Sequence, residues 1–458
     1  MTTAPVRVLP VTDLDIARCF AEKFKGKLYH VHAWKSWVSW DGTRWARDPD
    51  EKVVRYAMSL ADDYEKEARD EAIPDRRAKL FKMAGHLSKG KTIREMITLA
   101  RAIMPKPSED FDRDPTLLNT PLETVSLNSG WHYPNDPNDD ISKSTSVAFD
   151  PEATCPTWDR FLHTIMGGNT ALMEFLQRAV GYSLTGSTKE RKAFILYGSG
   201  RNGKSTFLRT IQTALGDYAT TASSNLIMAG RDEKTYNDLA ALRGTRFVAA
   251  SESGKGKAMD TGIFKLITGD ENISARFLYG EWFTFRPQFK LWLATNHRPD
   301  VDADDQALWD RIRLIPFTVR IPDSEVDDDL GKKLEAELPG ILRWAVDGAV
   351  AWSRDGLGNS EAVNAATNEY RHDADLLGQW LDECCETSAL TRYRTGLLFD
   401  SWRMYSKKHA PNMPAGRQNE FVDAMQRKGY ERITATGNKS YIVGVQLRQT
   451  ADDDEDPR

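Results

Sequence analysis

The sequence predicts an α/β fold, and three observations carry that prediction. Between residues 193 and 320, short apolar runs alternate with helical segments; the runs are 193–197 (AFILY), 246–250 (RFVAA) and 289–295 (FKLWLAT). A strand covered on both faces reads as a continuous apolar run, the mark of a sheet lying between helices. The first run leads into a glycine-rich turn and then a helical stretch, STFLRTIQTAL, which is the strand–loop–helix order of an anion-binding unit. Finally, 40% apolar and 28% charged residues describe an ordinary folded chain and exclude a disordered one.

At 458 residues the chain has room for several domains of about 100–200 residues each. Its net charge of −5 advertises no global affinity for nucleic acid, so any such surface must be local. The four cysteines, Cys19, Cys155, Cys384 and Cys385, lack C-x-x-C spacing; this speaks against a zinc knuckle or disulfide scaffold and for a reducing compartment. No apolar run reaches about 18 residues and residues 1–9 hold no signal-peptide core. No membrane partner is expected, and a cytoplasmic setting is.

Taken in order, residues 1–110 read as a mixed α+β region. Trp34, Trp37, Trp40 and Trp45 surround Asp41-Gly42, a hairpin turn signal. A small β-unit packed by tryptophans is the plain reading, and a base-stacking platform the alternative. Residues 75–105 read as a basic helical region carrying Arg76, Arg77, Lys79, Lys82, Lys89, Lys91 and Arg94, by default a solvated face. Residues 110–150 are rich in loop formers. In ALMEFLQRAVGYSLTG, the spacing of Leu172, Phe175, Leu176, Ala179, Val180 and Tyr182 predicts an amphipathic helix ending near Gly186. Residues 340–352 are also helical in pattern.

The strongest local signal is Gly198-Ser199-Gly200-Arg201-Asn202-Gly203-Lys204-Ser205, a full match to G-x-x-x-x-G-K-[ST], with Thr206 following. Glycines let backbone N–H groups turn inward around an anion without Cβ clashes, and the helix N-terminus adds positive potential. Lys204 is placed to neutralise the β/γ-phosphates of ATP, and the Ser205 hydroxyl to bind Mg²⁺.

Hydrolysis also needs an acid at a strand end close by. Glu252, closing the run RFVAASE, fills that role, with Ser205, as a metal ligand; a surface acid is its plain reading. Asn296 ends the run FKLWLATN and is a candidate for the γ-phosphate or the attacking water, the alternative being a turn former ahead of His297-Arg298-Pro299. Arg311 and Arg313, in ALWDRIRLIPF, are candidates for a guanidinium supplied across a subunit interface; the alternative is a structural ion pair. Between Glu252 and Asn296, ISARFLY and WFTFRPQ flank Gly280-Glu281 and predict a hairpin on a type II′ turn. Arg276, Tyr279 and Trp282 fall near its tip, suited either to gripping DNA or to plain core packing.

These motifs together resemble the superfamily 3 helicases, AAA+-type ATPases. More narrowly they are similar to the helicase part of phage and plasmid primase-helicases, with the poxvirus primase-helicase as a relative. YGSGRNGKSTF resembles the family's Walker A, FVAASE its Walker B, FKLITGDENISARFLY its B-prime motif and LWLATNHRP its motif C. LWDRIRLIPF resembles the arginine-finger segment, with Arg311 the first choice. The resemblance implies a homohexameric ring that uses ATP and Mg²⁺ to move 3′ to 5′ along single-stranded DNA during replication of a phage or plasmid-like element in its bacterial host. It assigns catalysis to Lys204, Glu252, Asn296 and Arg311, and places Lys265 and Asp270 in the B-prime motif. Two departures stand out: Ser251 occupies the place of a second Walker B acid, and Glu281 lies at the hairpin tip where relatives carry lysine. DNA grip is therefore expected from Arg276, Tyr279, Lys265 or the Lys255/Lys257 pair. The residues before the shared region show no compact acidic triad with a zinc module, so primer synthesis is not expected of this chain, and a separate primase or polymerase is an expected partner.

Residues 391–448 hold eleven basic residues against four acidic ones, a marked segregation in an acidic chain. Two helical stretches precede YERITATGNKSYIVGVQLR, which reads as a hairpin turning at Gly437-Asn438. This order predicts a winged-helix-like unit for duplex DNA, with Lys407, Lys408, Arg417, Lys428 and Lys439 as contacts. The expected organisation is thus 1–110, a helicase-associated region 111–187, an ATPase core 188–355, the winged-helix-like unit 375–448 and an acidic tail 449–458. Two other functions remain open on the sequence: a packaging or remodelling motor, and an origin-binding initiator that uses ATP only to assemble.

Overall fold

The computed structural model describes residues 9–228, 233–252, 258–409, 415–435 and 439–448. The tail 449–458, Lys255, Lys257 and the Gly437-Asn438 turn lie outside these residues.

The N-terminal unit opens with α1 (Asp13–Lys23), whose start is fixed by a capping box between Thr12 and Asp15. Three short antiparallel strands follow, β1 (Leu28–Val31), β2 (Ser36–Trp40) and β3 (Trp45–Arg47), in that order across the sheet. Then come α2 (Lys52–Asp70), α3 (Pro74–Leu87) and α4 (Gly90–Ile103). The predicted basic helical region is therefore two helices, broken at Ser88-Lys89. Their apolar stripes, Leu80, Ala84 and Leu87 on one and Ile93, Met96, Ile97 and Ala100 on the other, join Phe20, Leu60 and Tyr64 in one core. Trp37 and Trp45 are buried, which supports the packing reading of the tryptophans.

Residues read as loop contain a small antiparallel sheet, β4 (Leu117–Asn119), β5 (Glu123–Ser126) and β6 (His132–Pro134). Strands this short show no alternation to detect. Buried Asn119 ties this sheet to both sides: its Nδ2 donates to the carbonyls of Thr43 (3.1 Å) and Lys143 (3.0 Å). The helices α5 (Pro156–Ile165) and α6 (Thr170–Leu184) lead into the main sheet.

That sheet is five-stranded and parallel. Its elements run β7 (Ala193–Tyr197), α7 (Lys204–Leu215), β8 (Ala219–Ser223), α8 (Glu233–Ala241), β9 (Phe247–Glu252), α9 (Thr261–Thr268), the hairpin strands β10 (Ile273–Ala275) and β11 (Phe283–Phe285), β12 (Lys290–Thr295), α10 (Gln306–Trp309) and β13 (Ile312–Pro316). Strand order is β13-β7-β12-β9-β8. The central strand β12 is buried at every residue, while β8, at the edge, is ATTAS and carries no apolar run to signal it. Alternate residues feed two cores. Phe194, Leu196, Phe247, Trp292 and Ile315 face α5, α6, α7 and the later α12, whereas Ile195, Val248, Leu293 and Leu314 face the opposite layer.

Three helices complete this body: α11 (Leu330–Ala336), α12 (Leu338–Asp355) and α13 (Glu361–Ala374). α6 and α12 touch backbone to backbone, because a Cβ on Gly181 would fall 2.0 Å from the Ala349 nitrogen and one on Gly348 would fall 2.2 Å from the Gln177 oxygen. Trp292 is the centre of the first core, stacked 4.4 Å from Phe194 and 5.3 Å from Phe247, with its indole N–H donating to the Ser183 hydroxyl. Trp292→Ala is expected to cost about 3–5 kcal/mol in urea unfolding, the usual range for emptying a large aromatic site.

The C-terminal unit comprises α14 (Leu376–Cys384), β14 (Cys385–Arg394), α15 (Thr395–His409), α16 (Gln418–Arg427), β15 (Arg432–Ala435) and β16 (Lys439–Leu447). Its antiparallel sheet has the order β14-β16-β15 and packs on a core of Trp380, Leu398, Phe421, Met425 and Val445. Among the described residues no helix is long and apolar enough to cross a membrane.

Candidate active site

The loop 198–203 joins β7 to α7, and its backbone explains its composition. Gly200, Arg201 and Gly203 all have positive φ (100°, 50° and 83°), the left-handed backbone that favours glycine and that anion-binding loops use. Gly203 also allows close approach: a Cβ there would meet the Ile165 side chain at 2.6 Å. A Cβ on Gly198 would fall 2.2 Å from the Phe317 carbonyl. That same carbonyl accepts from Asn202 Nδ2 at 3.0 Å, while Arg201 pairs with Asp323. Ser199 and Ser205 are exposed, and Thr206 is half-buried in the first turn of α7.

Lys204 is the centre of the loop. It is only 6% exposed, and among the described residues its ammonium meets neutral oxygens: Gly198 O at 2.6 Å, Asn202 Oδ1 at 3.0 Å and Asn296 Oδ1 at 3.1 Å. Burial holds its pKa below the usual lysine range. A buried cation among neutral oxygens, at the start of a twelve-residue helix, is suited to a polyphosphate. The residues present therefore fit ATP.

Asn296 and Glu252 reach this place through sheet register. Tyr197 pairs with Thr295, and Thr295 with Glu252, so β7, β12 and β9 end flush. Glu252 is the last residue of β9, and its side chain lies outside the described residues. Asn296 follows β12 directly, its carbonyl turned onto Lys204. Arg298, read from sequence only as part of a turn, packs 4.8 Å from the Tyr197 ring and pairs with Glu369 and Asp373 of α13. Nothing in the local sequence marks that partnership, since its partners lie about seventy residues on.

Arg311 lies at the other end of the sheet. Its carbonyl accepts from Ala193 N at 2.8 Å, level with the start of β7. The five residues of β13 separate it from the phosphate-loop end, about 16 Å of strand. Its Nη1 donates to Ala307 O at 2.5 Å, and its Nε is buried with no hydrogen-bond partner among the described residues. Arg313 folds onto the Ile312 carbonyl at 2.8 Å, and burial lowers its pKa. Arg311 thus sits at the end of β13 opposite its own 198–203 loop.

The hairpin exists, but not on the expected two-residue turn. Only three residues pair on each side, Ala275 facing Phe283, and residues 276–282 form the loop. Its tip is a turn at 277–280, closed by Gly280 N donating to Phe277 O at 2.8 Å, with Tyr279 at φ 60°. Glu281 lies beyond that turn. Alternation and one glycine fit several registers, and contacts to α8, including Leu278 N to Asn237 Oδ1 at 3.2 Å, accompany this one. Phe277, Leu278, Tyr279 and Trp282 are exposed, and the Arg276 guanidinium lies 5.1 Å from the Trp282 ring.

The other predicted DNA contacts divide into two groups. Lys265 pairs with Asp305 at 2.6 Å, and Asp270 with Arg191. Lys428 pairs with Asp375 at 2.7 Å and Asp304 at 3.5 Å, and Arg427 also reaches Asp304. These contacts dock α16 onto the segment between Asn296 and Arg311. Lys407, Lys408, Arg417 and Lys439 are exposed.

The chain is similar to several known proteins. Residues 17–167 match a family model described as D5 N terminal like, and residues 196–311 match a family of unknown function, DUF5906. Over 302 residues the chain is 26% identical to a protein of Acanthamoeba polyphaga mimivirus named "Putative helicase", covering 61% of this chain and 31% of that one. A protein of the same name from frog virus 3 is 25% identical over 303 residues, covering 60% and 30%. A "Putative primase" of African swine fever virus is 23% identical over 220 residues, covering 45% and 22%. The chain therefore spans about a third or less of the length of these relatives. In fold it is similar to the apo structure of the NrS-1 C-terminal region, with a TM-score of 0.51 and 10% identity over 96% of this chain and all of that one.

Proposed function

Because the chain belongs to a primase-helicase family related to the poxvirus type, we propose that it is an ATP-driven DNA helicase, built on an AAA+-type core as a hexameric ring and moving 3′ to 5′. The observation that carries this reading is the disposition of Lys204 and Arg311. The first is a buried cation awaiting an anion at one end of the parallel sheet, and the second is a guanidinium about 16 Å of strand away at the other. Copies arranged head to tail would bring the Arg311 of one against the triphosphate of the next.

In this scheme the loop N–H groups and Lys204 cradle the β- and γ-phosphates, the ammonium exchanging neutral oxygens for charged ones. Ser205 and Glu252 are the residues to hold Mg²⁺, which supplies charge neutralisation on the phosphate oxygens. Asn296, released from Lys204, orients the attacking water or the γ-phosphate. The exposed aromatic tip at 277–282 faces single-stranded DNA, and the C-terminal unit, read as winged-helix-like, contacts duplex DNA. Its docking through Asp304 joins it to the segment that carries Asn296 and Arg311.

The test is strand separation on a forked duplex. The purified chain is expected to hydrolyse ATP faster when single-stranded DNA is added, and to release the labelled strand only with hydrolysable nucleotide. Hydrolysis without release would replace the helicase reading with a packaging or remodelling motor.

A further inference from the structure

All four N-terminal tryptophans take part in packing. Trp37 and Trp45 are buried, and Trp34 lies between the Phe111 ring at 5.0 Å and the Arg47 guanidinium at 4.4 Å. Trp40, half-buried, also lines a cavity. It closes β2, meets Trp45 edge-on at 5.9 Å, and borders a space of about 570 Å³ between the end of β2, the end of α1 and the first turns of α2. Phe24 and Tyr56 form further aromatic wall, their rings 5.0 Å apart, and Lys52 and Arg55 add two cations.

Some cations of this unit are paired with carboxylates and others are not. Lys23 is neutralised by Asp63, Arg76 by Glu67 and Glu71, and Lys106 by Asp140. Among the described residues Lys52 and Arg55 have no carboxylate partner; the one side-chain bond of the pair runs from Arg55 Nη1 to Asp50 O at 3.3 Å. Asp41, the acid in the wall, is already engaged. Its Oδ1 accepts from the backbone and hydroxyl of Thr43 and from Arg44 N, and its other oxygen faces the Arg44 guanidinium at 3.8 Å. The cavity volume falls within the range of small-ligand sites, about 300–1,000 Å³.

Aromatic faces beside unpaired cations suit a flat heterocycle joined to a phosphate. We propose that this cavity is a second nucleotide-binding site, separate from the phosphate loop, in which Trp40 and Tyr56 stack a nucleobase while Lys52 and Arg55 hold its phosphate. A free mononucleotide and a segment of single-stranded nucleic acid share that chemistry.

The experiment uses the full chain carrying Lys204→Ala, so that the phosphate loop contributes little. AMP is titrated calorimetrically. In parallel, a short oligonucleotide bearing 5-iodouracil is irradiated on the protein and the crosslinked peptides are mapped. The expected result is AMP binding, or a crosslink in the peptides holding Trp40 or Tyr56. Either is weakened about tenfold by Trp40→Ala and by Lys52→Glu, as loss of one stacked base or one phosphate contact predicts. With native Lys204 restored, both variants keep the parent's rate of ATP hydrolysis. AMP binding alone assigns the site to free nucleotide, and the crosslink alone assigns it to a strand. Neither signal, or signals that Lys52→Glu and Trp40→Ala leave unchanged, overturns the proposal; Lys52→Glu changes a half-buried cation without emptying an aromatic site and so guards against a folding artefact of the tryptophan change.

Discussion

A chain carrying Lys204→Ala is expected to lose DNA-stimulated ATP hydrolysis by at least about 10²–10³-fold, the scale for removing a preorganised charge from a transition state. It is also expected to keep, or slightly raise, its stability. Among the described residues the ammonium meets three neutral oxygens, and burial depresses its pKa. Among the described residues it has no counter-charge, so removing it relieves desolvation and gives up three hydrogen bonds to neutral oxygens. Parallel measurements of turnover and urea midpoint therefore separate function from folding. Lost turnover with an unchanged or higher midpoint is the predicted pair. Full turnover by the variant would refute the role given to the loop.

Arg311→Ala is expected to slow hydrolysis by about 10³–10⁵-fold while leaving ATP affinity nearly intact, because a guanidinium of this kind acts on charge developing at the γ-phosphoryl group. The geometry makes a sharper demand. Arg311 lies at the far end of β13 from its own loop, so its effect must cross to a neighbouring copy. Mixing Arg311→Ala chains with Lys204→Ala chains, each nearly inactive, should restore part of the activity. The intact loop of the first would then meet the intact Arg311 of the second. No recovery after verified subunit exchange would sink the shared-site model. Arg313→Ala serves as the control: its guanidinium is folded on the Ile312 carbonyl, and its loss should change the rate only a few-fold.

The turn between β7 and α7 was legible in the sequence because its geometry is local. Gly200 and Gly203 are there for positive φ, Gly203 and Gly198 for close approach, and Lys204 follows at a set spacing, so the motif carries its own geometry. The buried strands were legible for a related reason: burial on both faces leaves continuous apolar runs at 193–197 and 289–295. The edge strand β8 and the three-residue strands β4–β6 were not, since half-exposed or very short strands leave no periodic trace.

What only the tertiary structure decided is adjacency. Composition and spacing singled out Asn296 and Glu252, but the register of β7, β12 and β9 is what brings their positions to Lys204 across 92 and 48 residues of chain. The same sheet sends Arg311 to the opposite end. Tertiary contacts also sorted the lysines: Lys265 and Lys428, equal in sequence to their exposed neighbours, are paired with Asp305, Asp304 and Asp375. A short motif encodes backbone angles that each residue adopts by itself, whereas strand register and ion pairing are set by distant partners competing in a closed core.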